Sequence, residues 1–264
     1  MHERREACGS GRKPPAGAAQ PRARFVHCAR NVLSTLSQMR AFGYNGTTYA
    51  VATGWQHELN LLNGFSSMAR TVLVVLFDDV DTLDFSGPME VFSITGQRAT
   101  GPVPFTVTTA AERKFPAITT RSGLSVLPFY TYTDAPQAQI LIVPGGLGAR
   151  HERRNQATLD FVHEQAQHAE IVFSVCTGAL LLGAIGLLDG LRATTHHSAL
   201  EELAETAPQC TIVEGVRYVD NGQVVTSAGI TAGIDAALYI VQRLLGAEIA
   251  QETASHMAYR WQAD

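Results

Sequence analysis

The chain has 264 residues, 45% hydrophobic and 17% charged, with a formal net charge of −4, which fits one sizeable globular domain or two small ones. No apolar run reaches the roughly 18–20 residues of a membrane span, so no membrane partner is expected. Residues 1–70 carry 9 Lys+Arg against 3 Asp+Glu and residues 71–264 carry 11 against 21, so the body is acidic and offers no basic face for nucleic acid.

Residues 1–67 open with a Gly-, Pro-, Ala- and Arg-rich stretch without periodicity and read as a disordered basic extension. Phe25 to Met39 has the pattern of a short basic amphipathic helix. Met68 directly precedes a strand pattern and is an alternative start. The domain is expected over residues 68–264.

Thr71–Phe77 reads as a buried strand, and Ser86-Gly87-Pro88 as the opening of a helix that runs to about Ile94. Phe105–Ala110, Leu124–Leu127 and Gln139–Val143 read as strands, the last ending at Pro144-Gly145-Gly146. Asn155–His168 is helical, with Leu159 and Val162 facing inward. Ile171–Val175 is a strand that drops onto Cys176-Thr177-Gly178 and a helical run of small residues. Arg192–Thr195 is extended and Ala199–Ala207 helical. Val216–Val219 and Val224–Thr226 flank Asp220-Asn221-Gly222, a hairpin signal. Ala232–Leu245 and Ile249–Ala258 are helical. Alternating strands and helices argue an α/β fold: an open, mostly parallel, flavodoxin-like or Rossmann-like sheet covered by helices on both faces.

Of the four cysteines, Cys8, Cys28, Cys176 and Cys210, none forms a C-x-x-C pair, and their scatter suggests no disulfide framework. A reducing, cytoplasmic setting is the expectation. Cys176 stands at the strand-to-helix elbow, as in a nucleophile elbow with sulfur in place of oxygen. The helix N-terminus there is expected to favour thiolate, the nucleophilic form. Thr177 offers a hydroxyl for the sulfur or a substrate atom, or a helix cap.

Asp84 follows the first strand and is expected on the same sheet edge as Cys176, where open α/β sheets form their sites. Ser86 is expected to cap the helix, which leaves Asp84 for acid–base work. Glu90 is expected in solvent. Gly145 and Gly146 permit close backbone approach and N–H groups aimed at negative charge. The segment lacks G-x-G-x-x-G, so no dinucleotide is expected. In Thr194-Thr195-His196-His197, adjacent histidines are expected to point apart, so that at most one reaches the site. No acidic or thiol cluster accompanies them, and no metal is expected. Asp235, near a helix N-terminus, is expected to be structural.

In order, LDFSGPMEVF, LIVPGGLGAR, SVCTGALLLGAIGLLDG, ATTHH and TSAGITAGIDAAL resemble the ThiJ/PfpI superfamily, relatives of class I glutamine amidotransferase domains, over roughly residues 70–264. Cys176-Thr177-Gly178, with Ala193-Thr194-Thr195-His196 and Ile230-Thr231-Ala232-Gly233-Ile234-Asp235, is most similar to the isonitrile (isocyanide) hydratase branch. It also resembles the sensor half of AraC-type regulators; 29 residues follow Asp235 of the 264, and no helix-turn-helix domain is expected in them. Peptidase-like members have His after the cysteine, where this chain has Thr177. His197 stands where the hydratase branch usually has Trp.

The resemblance implies Cys176 as nucleophile with Asp84 beside it and Thr177 near the reacting atoms. It implies an anion-stabilising turn at Gly145 and Gly146, Ile230 packed against the nucleophile's helix, and His196 near the site. It further implies a homodimer acting on a small-molecule substrate, without cofactor. The expected activity is cysteine-dependent hydration of an isocyanide to an N-substituted formamide. The alternatives are glyoxalase- or deglycase-like work on small reactive carbonyls, and a non-catalytic ligand- or redox-sensing domain.

Overall fold

The computed structural model describes residues 40–44, 47–51, 69–97 and 103–261. It divides into two units, 1–64 and 65–264. In the first, β1 (Arg40–Tyr44) and β2 (Thr47–Val51) pair antiparallel. Sequence patterning had suggested no strand there. The basic stretch before residue 25 and the Phe25–Met39 helix pattern lie outside the described residues.

The second unit holds β3 (Arg70–Val75), α1 (Thr82–Ile94), β4 (Phe105–Ala111), β5 (Ile118–Thr119), β6 (Ser125–Val126), β7 (Tyr130–Thr131) and β8 (Ile140–Val143). Next come α2 (Ala149–Glu152), α3 (Gln156–His168), β9 (Ile171–Val175), a 3₁₀ turn at Cys176–Gly178 and α4 (Ala179–Ala184). The chain continues through β10 (Arg192–Ala193), a 3₁₀ turn at His197–Ala199, α5 (Leu200–Thr206), β11 (Thr211–Ile212), β12 (Tyr218–Asp220), β13 (Val224–Ser227), α6 (Ala232–Leu245) and α7 (Ala247–His256).

Seven strands form one sheet in the order β12-β13-β9-β8-β3-β4-β7. Every pairing is parallel except that of β12 with β13. The central strands β8 and β9 are buried along their whole length, as their unbroken apolar runs require when helices cover both faces. Helices α1, α6 and α7 pack together, and α2, α3, α4 and α5 form the other group. At the α1–α6 crossing a Cβ on Gly87 would lie 2.9 Å from Ile234, so the glycine sets the approach. Each fully buried Leu or Ile of this core contributes about 2 kcal/mol.

The Asp220-Asn221-Gly222 hairpin forms as expected: Gly222 takes φ +87° and its N–H donates to Asp220 Oδ1 at 2.7 Å. In α3, Phe161 and Val162 are buried while Leu159 is only half-buried. The main departure is α1. It starts at Thr82, not Ser86, and carries Pro88 inside it. The proline had suggested a first helical turn. Here the missing N–H falls in the second turn, where its partner would have been the Asp84 carbonyl.

Candidate active site

Four strands of the sheet end at one edge, and each hands over to a segment of the site. β3 leads to Asp84, β8 to Gly145-Gly146, β9 to Cys176 and β13 to Gly229-Ile230. Ligand sites of open α/β sheets lie at this carboxyl edge.

Cys176 has φ +56° and is 4% exposed. A left-handed conformation at a non-glycine residue is strained and needs support from its surroundings. The support is visible. The Cys176 N–H donates to the Ala228 carbonyl at 3.2 Å. Its carbonyl accepts from the buried Thr195 hydroxyl at 2.7 Å. Gly178 lets the elbow press onto the end of β8, since a Cβ there would strike the Val143 carbonyl oxygen.

Asp84 lies in the first turn of α1, not before the helix, and is fully buried. Ser86 is no cap; the N-cap is Asp81, without a side-chain capping bond. Burial, and then the charge of Asp81, push the Asp84 carboxyl up to about 7. The Cys176 thiol and the N–H groups of Gly145 and Ile230 favour its charged form. Neither oxygen meets one of them in full hydrogen-bond geometry, so burial dominates.

The expected thiolate is corrected by this environment. Burial first, and the Asp84 charge second, push the Cys176 thiol up to about 12. The Thr177 N–H works in the opposite direction. The elbow turn has three residues and α4 six, too few for a helix dipole to outweigh a buried neighbouring carboxylate.

Thr177 is buried, and its hydroxyl neither caps a helix nor meets the sulfur. It accepts from the Gly146 N–H at 2.9 Å and donates to the Gly146 carbonyl at 3.0 Å. It thereby ties the β8 turn to the elbow. The Gly146 amide is committed to that bond, and the Gly145 amide faces Asp84. A Cβ on Gly145 would lie 2.5 Å from the Thr177 nitrogen and 2.9 Å from Asp84 Oδ2, so only glycine fits. The donor that acts on the sulfur is the Thr177 N–H.

Ile230 is 42% exposed with φ +51°. Its N–H acts on Asp84 and its side chain lines a cavity of about 410 Å³. His196 and His197 line the same cavity with ring centroids 4.1 Å apart. The expectation that adjacent histidines diverge fails because the 3₁₀ turn at 197–199 brings their rings together, while His196 sits against Gly229, where a Cβ would collide with its ring. Burial first, then the charge of His197, lower the His196 pKa. Glu90 is exposed as expected. Asp235 binds Arg217 and Tyr259, a structural arrangement.

Two residues were not singled out by patterning. Asp81 lies in the acidic run Asp78-Asp79-Val80-Asp81, and Thr195 beside the histidines. Among the described residues Asp81, Asp84 and Cys176 bring one ligating atom each within 4.8 Å of one another. Three such ligands are the usual minimum for a catalytic zinc. Their crowding also shows in the upward shifts of Asp84 and Cys176.

The DJ-1/PfpI family model matches residues 70–243. The chain is 37% identical over 192 residues to an isonitrile hydratase from Pseudomonas putida, covering 73% of this chain and 79% of that protein. It is 30% identical over 138 residues to the HTH-type transcriptional regulator GbdR of Pseudomonas aeruginosa, covering 52% of this chain and 37% of the regulator. Among solved structures, a ThiJ/PfpI family protein from Pseudomonas syringae superposes with a TM-score of 0.66 at 27% identity, covering 74% of this chain and 77% of that one. The mostly parallel seven-stranded sheet, the elbow and these matches together make the chain a member of the DJ-1/PfpI family.

Proposed function

We propose that the protein hydrates isocyanides to N-substituted formamides. The observation that carries this reading is the buried Asp84–Cys176 pair, in which burial raises both pKa values, the Asp84 charge raises that of the thiol further, and the thiol in turn favours the carboxylate. Similarity to an isonitrile hydratase supports the substrate class. As Cys176 Sγ attacks the isocyanide carbon, its proton passes to the Asp84 carboxylate and from there to the carbon. The product of this step is a thioimidate. Asp84, again a carboxylate, takes a proton from water as the water oxygen adds to the same carbon, and the nitrogen receives that proton. Collapse of the adduct expels the sulfur with a proton and releases the formamide. One hard hydration becomes two moderate steps. Asp84 is suited to both roles, because a pKa near neutrality suits a group that must accept and return protons.

The test is product analysis with a simple alkyl isocyanide, alongside Cys176→Ser. Formamide from the wild type alone is the expected result. Lactate from methylglyoxal without formamide would replace the reading with carbonyl chemistry. Neither product, from a folded protein, would favour a sensing domain of the kind the regulator match suggests. The expected homodimer is tested separately by sedimentation.

A further inference from the structure

The hydration above uses only the isocyanide carbon and nitrogen, and leaves the cavity of about 410 Å³ lined by Thr195, Ala228 and Ile230 without a task. That volume lies in the range of small-molecule sites. Two of its walls belong to the reacting pair's own supports. Thr195 holds the Cys176 carbonyl, and the Ile230 N–H acts on Asp84. Ala228 of the same wall accepts from the Cys176 N–H, so the cavity lies against the supports of the reacting pair, and we assign it to the substituent on the isocyanide nitrogen.

The polar lining is of one kind. Arg217, His196, His197, Thr194, Thr195 and Thr231 contribute to it, and no Asp or Glu does. Arg217 is held in place: Nε donates to Asp235 Oδ2 at 2.7 Å, and Nη2 to the same carboxylate and to Thr231 Oγ1. Asp235 also accepts from the Tyr259 hydroxyl at 3.0 Å. These bonds fix the guanidinium plane and leave Nη1 without a protein partner among the described residues. The ion pair with Asp235 dampens the long-range field of Arg217, so its contribution is directional. A fixed guanidinium with Nη1 left to donate suits a carboxylate oxygen.

Resting on the hydratase reading, we propose that the substrate is an acidic isocyanide, whose substituent carries a carboxylate seated against Arg217 and the His196–His197 pair. The experiment compares kcat/KM of the full chain for 3-isocyanopropanoate and its methyl ester, which differ by one charge. The acid is expected to be favoured at least tenfold, chiefly through KM. Arg217→Gln should bring the ratio within about twofold, and Arg217→Lys should keep part of it. The ratio is taken within each variant, so loss of folded protein cancels. His197→Leu, which leaves the Arg217–Asp235 pair in place, is expected to lower the ratio as well. Equal use of both compounds, or preference for the ester, would overturn the acidic-substrate proposal and leave the hydratase reading standing. No formamide from either compound would overturn both.

Discussion

Asp84 and Cys176 face each other at the carboxyl edge of the sheet, both buried, and the Asp84 charge makes it harder for the thiol to lose its proton while the thiol favours the carboxylate. The carboxyl is pushed up to about 7 and the thiol to about 12. Near neutral pH the pair therefore holds a thiol beside a carboxylate on the verge of protonation. The nucleophile is activated by handing its proton to Asp84 as the new bond forms.

The pH profile follows. The Asp84 carboxylate must be free to accept the thiol proton, so kcat/KM should rise with pH and level off above an apparent pKa near 7. Below it the rate should fall about tenfold per pH unit. A rate that keeps rising through pH 8 and 9, tracking free thiol ionisation, would contradict the proton transfer to Asp84.

Asp84→Asn should abolish turnover and yet stabilise the protein at pH 8. The folded pKa of about 7 lies above the ordinary carboxylate value of 3.8, so folding takes up a proton between roughly pH 4 and 7. The contribution of Asp84 to stability is fullest below about pH 4 and is lost as pH rises through 7. Removing the charge should gain about 4 kcal/mol at pH 8 and little at pH 4. Chemical denaturation at the two pH values measures it; an equal effect at both would show that burial of the charge is not the cause.

Thr195→Val should loosen the elbow. It removes the hydroxyl that holds the Cys176 carbonyl at 2.7 Å and leaves that carbonyl with the Ala179 N–H alone, for a loss of about 1 kcal/mol. The strained φ of Cys176 should relax, and kcat should fall at least tenfold with KM less affected, a figure of about the size expected for slight misplacement of a reacting group. Thr195→Ser, which keeps the hydroxyl, should retain most of the rate. If Val and Ser variants behave alike, the hydroxyl is not the support.

Gly178→Ala separates crowding from backbone conformation. Gly178 has an ordinary helical φ of −58°, so only space forbids a side chain there. The added Cβ would meet the Val143 carbonyl oxygen, and a loss of about 2–3 kcal/mol is expected. Gly222 is the opposite case, with open space around it and φ +87°; Gly222→Ala should lose about 1 kcal/mol. Urea midpoints of the two variants test the order.

Much of this protein was legible in the order of its residues. The unbroken apolar runs at 140–143 and 171–175 specify central parallel strands, because such runs suit only a strand covered on both faces. The drop from that run onto Cys176 and small residues specifies the elbow, and Asp220-Asn221-Gly222 the antiparallel pair β12–β13 at the sheet edge. Those patterns are local, so a single strand and its turn suffice to read them. What the tertiary structure alone decided depends on atoms brought together from distant segments. The start of α1 moved to Thr82 because packing overrode the proline signal. The thiol is held protonated because Asp84 arrives from another strand end and water is excluded from both. The hydroxyl of Thr177 and the amides of Gly145 and Gly146 went to holding the site together, and Thr195 to holding the elbow. A pKa and a hydrogen-bond partner are properties of an environment, and spacing along the chain does not carry them.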